Sequence, residues 1–204
     1  KGIITIFLAT VSISIYLQID TFLLGYLAGD KYVGLYSVAN ILLRYVITFI
    51  VSAGAVLLPR LSNLWHTDRN MYESYLIKAF HFLLLISIPF SIYFYFFAKD
   101  IIGLMAGSQF TDAILTLKIL APVCFLVAMA YFFGYLLLYT QGKETLYTIS
   151  VSVSAMLSIF LNYFLITKYQ QNGAALTQLF SEFVGISIVL LFFQDKSLYK
   201  KLMT

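Results

Sequence analysis

Charge is scarce in this chain. Only 11% of its 204 residues are Asp, Glu, Lys or Arg, 61% are hydrophobic, and the mean hydropathy is +0.91. Soluble globular domains carry roughly a quarter charged residues, so that class is excluded. Cysteine is scarcer still: Cys124 stands alone in an apolar run, which rules out an internal disulfide framework and any CxxC-type metal site. The formal charge of +4 is not gathered into a cluster outside the apolar segments, so nucleic acid is not an expected partner. Phosphate-loop chemistry is missing too. Gly142–Lys143 has neither the upstream glycine nor the following Ser/Thr that such a loop needs. No metal motif or nucleophile elbow occurs, and the chain is expected to be a non-enzyme without a cofactor. Lys1 opens the chain in place of a methionine, which reads as a fragment or a processed product.

What is abundant is long apolar sequence. A helix needs about 20 apolar residues to cross a hydrocarbon core about 30 Å thick. Six segments qualify: Gly2–Ala28, Tyr32–Pro59, Tyr75–Ala98, Ile114–Thr140, Leu146–Lys168 and Ala174–Gln194. Each is too long for a signal peptide, and no cleavage-type site follows the first. β-strands fail on length and on the lack of alternating polarity. The expected fold class is an all-α polytopic membrane protein, with residues 1–204 forming a single six-helix transmembrane lobe.

Basic residues set the expected orientation. Lys1, Arg60, Arg69, Lys78, Lys143, Lys196, Lys200 and Lys201 fall on one side, against Lys31, Lys99, Lys118 and Lys168 on the other. That asymmetry puts both ends of the chain in the cytoplasm, with the protein in the cytoplasmic (inner) membrane. Lys99–Ala113 reads as a short interfacial helix on the outer face. Pro89 and Pro122 lie inside spans and are candidates for kinks. Gly25/Gly29 and Gly103/Gly107 form GxxxG pairs, but their place at segment ends disfavours helix-dimer contacts.

Against this background the polar residues stand out. A charge at the bilayer centre costs at least about 2.5–3.5 kcal/mol, so such residues face a partner or water. Asp20, Arg44 and Glu182 are the charged candidates, with Asn40, Asn162 and Gln178 as uncharged companions. Counted from the turn near Asp30, Asp20 and Arg44 differ in level by about 6 Å, and Asn40 is level with Asp20. An Asp20–Asn40–Arg44 constellation on two adjacent helices is therefore feasible. Counted from the turn near Gln171, Asn162 and Glu182 share a level within about 3 Å. Tyr36, Ser37, Asn40, Arg44, Thr48 and Ser52 fall on one arc of the second span. Ser150, Ser154, Ser158 and Asn162 recur every four residues in the fifth, and Gln178 and Glu182 share a face in the sixth. Three polar stripes on otherwise apolar helices suit either a wet cavity or a polar helix interface. Asp20 and Arg44 would serve equally as a structural ion pair, and serine stripes as close-packing surfaces. Arg44 is suited to binding phosphate through its planar fork of donors. His81, Lys78 and Lys118 lie near span ends and are expected to snorkel.

Several stretches together carry a resemblance. They are IDTFLLGYLAGDKYVGLYSVANILLR (Ile19–Arg44), VLLPRLSNL (Val56–Leu64), GSQFTDA (Gly107–Ala113), ILAP (Ile119–Pro122), NYFLI (Asn162–Ile166) and NGAALTQLFSE (Asn172–Glu182). In order and spacing this set resembles the second half of polysaccharide flippases of the multidrug/oligosaccharidyl-lipid/polysaccharide exporter superfamily. The resemblance implies a transporter of twelve to fourteen helices in two lobes, of which this chain holds the C-terminal one. It implies alternating access of a central cavity and a polyprenyl-pyrophosphate-linked oligosaccharide as substrate. On that basis Arg44, Asn40, Tyr36, Asn162 and Gln178 are expected to line the substrate cavity, and Asp20 and Glu182 to act in gating or ion coupling. Expected partners are the lipid-linked oligosaccharide, membrane lipid, an N-terminal lobe of the same protein and polysaccharide-assembly proteins. A drug or cation antiporter of the same superfamily and a non-transporting membrane scaffold are the alternatives. A polymerase or ligase is disfavoured, because the longest outer connection is the short Lys99–Ala113 segment.

Overall fold

The computed structural model describes residues 18–192. Residues 2–17 of the first expected span, Gln194 at the end of the last, and the lysine-bearing tail lie outside them, as does Lys1. Among the described residues every regular element is helical. Helix α1 covers residues 18–28, followed by α2 (Asp30–Thr67), α3 (Arg69–Phe96), α4 (Ala98–Met105) and a 3-10 turn at Ser108–Phe110. Helix α5 (Ala113–Ala130) continues as a π-helix over Tyr131–Leu138, and α6 covers Glu144–Phe192. Four of these are long and apolar enough to cross a membrane: α2, α3, α5 with its π extension, and α6. The protein is an all-α, multi-pass membrane protein.

Local chemistry explains the boundaries. Gly29 links α1 to α2 at a φ of 96°, a conformation that costs glycine little. The sequence suggests that the second span ends at Pro59, but α2 continues to Thr67. Its apolar stripe does not stop there: Leu61 and Leu64 are buried, and Trp65 meets the Tyr72 ring of α3 edge-on at 5.1 Å. Arg60 lies over the Tyr75 ring at 4.1 Å and Arg69 over Trp65 at 3.1 Å, so the cations at this end cover aromatic faces. Asp68 then caps α3, its side chain accepting from the Met71 N–H at 3.0 Å.

Helix α6 reverses direction within its length. Gln170 breaks it with φ 48° and ψ −125°. In a straight helix Ser154 and Gly185 would be about 46 Å apart at 1.5 Å per residue. Instead, a Cβ placed on Gly185 would fall 2.5 Å from Ser154 Oγ, so the two arms run antiparallel and touch. At the tip, Gly173 packs so closely that a Cβ there would lie 2.1 Å from the Leu165 carbonyl oxygen.

Helix α5 is the centre of the bundle, packing against α2, α3 and α6. Half of its apolar window is buried by protein, against 28% for each of the other three long helices. Ser91 Oγ donates to the Ala121 carbonyl, fastening α3 to α5 beside Pro89 and Pro122, and both helices continue through their prolines. Helix α4 and the following 3-10 turn occupy the connection expected to lie along the interface. Ile101 and Ile102 of α4 face the bundle, while Leu104 and Met105 are exposed.

Candidate functional site

The polar stripes converge. A cavity of about 420 Å³ opens among α1, α2, α5 and both arms of α6. Asp20, Tyr36, Arg44, Thr48 and Ser52 line it from α1 and α2, and Ser158, Gln178, Ser181 and Glu182 from α6. Ile47, Val51 and Val127 complete an apolar floor. The result is an amphiphilic pocket: aliphatic walls with an arginine, two carboxylates, hydroxyls and a carboxamide facing one space.

Asp20 is held from α6. Its Oδ1 accepts from Asn162 Nδ2 at 2.5 Å and from Ser158 Oγ at 3.0 Å, and Asn162 Nδ2 also reaches Ser158 Oγ at 3.3 Å. Asn162 is fully buried and Ser158 nearly so, which presents both donors from a rigid wall. Tyr36, 1% exposed, donates its hydroxyl to Gln178 Oε1 at 3.0 Å and ties α2 to the second arm of α6. Arg44 is solvent-accessible on the cavity side of α2.

The expected site residues are thus distributed unevenly. Asp20, Tyr36, Arg44, Gln178 and Glu182 line the cavity, and Asn162 stands behind it as the anchor of Asp20. Asn40 is buried within the bundle, is not part of the cavity lining, and its Oδ1 has no hydrogen-bond partner among the described residues. Ser158 and Asn162 are hydrogen-bonded to Asp20, in place of the expected Asn40. Depth counting put Asn162 and Glu182 at one level, and the fold turns the Asn162 side chain toward Asp20 of α1.

A second cavity, about 200 Å³, adjoins the first and shares Val51, Val127 and Glu182 with it. Tyr131, Tyr147, Ser150, Ser154 and Gly185 contribute its other walls. The polar stripes read from the sequence did not include these tyrosines. The signal that distinguishes them is glycine: a Cβ on Gly54 would lie 2.2 Å from the Tyr131 ring, and one on Gly134 would lie 2.4 Å from the Tyr147 ring. Tyr131 also donates to the Val51 carbonyl at 3.2 Å.

Apolar helices long enough to cross a membrane, around a pocket that holds an arginine and two carboxylates, define a multi-pass membrane protein. The family described as polysaccharide biosynthesis protein matches residues 3–115, more than half of the chain, and the chain belongs to that family. An Escherichia coli (strain K12) protein named "Putative O-antigen transporter" is 24% identical over 193 residues, covering 95% of this chain and 46% of the relative. An uncharacterized membrane protein of Methanocaldococcus jannaschii is 30% identical over 176 residues, covering 79% of this chain and 34% of the relative. The chain therefore spans less than half the length of either of these curated relatives. No solved structure matches it.

Proposed function

We propose that this chain is the C-terminal lobe of an exporter that moves polyprenyl-pyrophosphate-linked oligosaccharide across the cytoplasmic membrane by alternating access. The observation that carries the reading is Arg44, an arginine midway along an apolar span that opens onto a cavity with Tyr36 and Gln178 beside it. A guanidinium binds a phosphate group through two parallel hydrogen bonds, and a low-dielectric wall strengthens that attraction. The O-antigen transporter name of the E. coli relative supports a glycan as the cargo. In this reading Arg44 holds the pyrophosphate, and Gln178, held in place by Tyr36, contacts the first sugar or the phosphate oxygens. Asp20 and Glu182 bias the two access states through partners that they hold in one state only. The N-terminal lobe faces the cavity from the other side.

The test is export by the full-length protein carrying Arg44→Ala or Arg44→Lys. Arg44→Ala should abolish most surface polysaccharide at equal expression, and Arg44→Lys, a point charge without the fork, should restore only part of it. Wild-type surface polysaccharide in Arg44→Ala cells overturns the role.

A second reading, cation or drug antiport, draws on Asp20 and Glu182 lining one cavity. Dye efflux by the full-length protein, with no complementation of a polysaccharide-export defect, would favour it.

A further inference from the structure

Two cations share one aromatic ring where α2 meets α3. The Arg60 guanidinium carbon lies 4.1 Å from the centroid of the Tyr75 ring, and Lys78 Nζ lies 5.7 Å from the same centroid. Like charges repel, and both side chains are exposed enough to reach away from each other into water. The electron-rich ring gathers them instead, so part of the side-chain freedom that an anion would have to freeze is already lost.

Their height is as telling as their company. Arg60 lies seven residues before the end of α2 at Thr67, and Lys78 nine residues after the start of α3 at Arg69. At 1.5 Å per residue both stand about 10–14 Å below the tip of the α2–α3 hairpin. From Lys78 to Phe96, the last residue of α3, the same rise gives about 27 Å, close to the thickness of a hydrocarbon core. The pair therefore sits at the boundary between acyl chains and headgroups, with the tip of the hairpin beyond it. Along α3 from Lys78 runs an apolar stripe. Phe82, Leu85, Ile92 and Phe96 are all exposed, and at 100° per residue they fall within about 40° of Lys78. No residue of α3 lines either cavity of the candidate site, so this stripe faces lipid. Glu73 stands about 140° round the helix from Lys78, across a groove that both line, on the flank away from Tyr75.

We infer that Arg60 and Lys78, gathered around Tyr75, bind the phosphate of an anionic phospholipid in the leaflet at that end of the bundle, with an acyl chain lying along α3. The site is independent of what the cavity carries. A guanidinium gives a phosphate two parallel N–H donors, and the ammonium adds a third as a point charge. Two positive charges favour a headgroup of net negative charge over a zwitterionic one, whose own ammonium they repel. The exposed stripe supplies what a free phosphate would leave unused, an apolar track that ends at the two cations.

The experiment is native mass spectrometry of the purified full-length protein, with dioleoylphosphatidylglycerol or dioleoylphosphatidylethanolamine added at equal concentration. Wild-type protein should retain phosphatidylglycerol in preference. Arg60→Gln and Lys78→Gln should each weaken that retention about 5-fold, the worth of one cation near an anionic lipid surface. Tyr75→Leu should weaken it too, because the cations lose the ring that gathers them, and Tyr75→Phe should not. Arg69→Gln, which removes a cation from the tip of the hairpin, should leave retention unchanged. Wild-type protein that holds both lipids alike overturns the site, as does an Arg60→Gln/Lys78→Gln protein that binds as wild type. An equal loss with Arg69→Gln overturns it as well, since the attraction would then be spread over every basic residue at this end. Excess glycerol 1-phosphate, the same phosphate without the chains, should not displace the lipid, and displacement overturns a lipid as the occupant. Should Arg60→Gln fail to fold, Lys78→Gln alone, at an exposed helix position, decides the question.

Discussion

Asn162 Nδ2 lies 2.5 Å from Asp20 Oδ1, joining two residues 142 positions apart in the chain. The carboxylate near the start of the described chain is thus held by the first arm of α6, with Ser158 as a second donor to the same oxygen. Removing a donor from this half-buried carboxylate leaves it short of a partner, at a cost of up to about 1–3 kcal/mol. Asn162→Ala should lower the thermal midpoint of the full-length protein in detergent, read by fluorescence-detected size exclusion. In the Asp20→Ala/Asn162→Ala double variant the loss should be less than the sum of the single losses. Strict additivity would mean that the bond contributes nothing to stability.

The two arms of α6 meet at Gly185 and Ser154. A Cβ on Gly185 would stand 2.5 Å from Ser154 Oγ but 3.7 Å from its Cβ, so the hydroxyl is the obstacle. Gly185→Ala should destabilise the protein by about 1–3 kcal/mol through overpacking. Adding Ser154→Ala should recover most of it. A Gly185→Ala protein as stable as wild type would show that the arms are not in contact at this level.

Tyr36 and Gln178 form a polar tie between α2 and α6 at 3.0 Å. Interhelical hydrogen bonds in membrane proteins average about 0.6 kcal/mol in double-mutant cycles. Tyr36→Phe and Gln178→Leu, combined in such a cycle, should show a coupling of that order. Tyr36→Phe alone should leave the protein folded, because the buried ring is kept.

The ends of the helices sort into two sets. Tyr72 and Thr140 share a hydrogen bond at 2.8 Å, which puts the α2–α3 and α5–α6 turns at one end of the bundle. Thr116 donates to Asn172 at 2.8 Å, and Phe110 packs 4.0 Å from the position of a Cβ on Gly34, which sets the opposite end. Cys124 is buried, so Cys124→Ala provides a background for single-cysteine labelling. His66→Cys and Lys143→Cys should react with a membrane-impermeant maleimide only from the cytoplasmic side, and Lys31→Cys and Lys168→Cys only from outside. The reversed pattern would contradict the orientation drawn from basic residues, and a mixed pattern would contradict the helix arrangement itself.

The polar stripes were legible because helical periodicity is a property of the sequence. Ser150, Ser154, Ser158 and Asn162 recur every four residues, and all four are buried. Gln178 and Glu182 share a face, and both line the cavity. The partner of Asp20 was not legible. Counting residues from a turn gives the height of a side chain in the membrane, but not the rotation of its helix or the identity of its neighbour. Asn40, which counting puts at the height of Asp20, is turned into the bundle, while Ser158 and Asn162 are turned toward α1. The extension of α2 to Thr67 was hidden for a different reason. Pro59 reads as a stop, but the burial of Leu61 and Leu64 outweighs the backbone hydrogen bond that the proline forgoes.

The sequence by itself determined that this chain lives in a membrane, that its spans are helices and that a few polar residues are carried inside them. Apolar length and periodicity, which need no neighbours, decide those things. Only the tertiary structure decided which polar residues meet. It brings Arg44, Gln178 and Glu182 to one cavity, hands Asp20 to Asn162, and stacks Tyr131, Tyr135 and Tyr139 ring on ring at the end of α5. Those outcomes depend on how helices far apart in the chain rotate to fill space around α5, and the fit of Gly54 to Tyr131 and of Gly134 to Tyr147 exists only once they have packed.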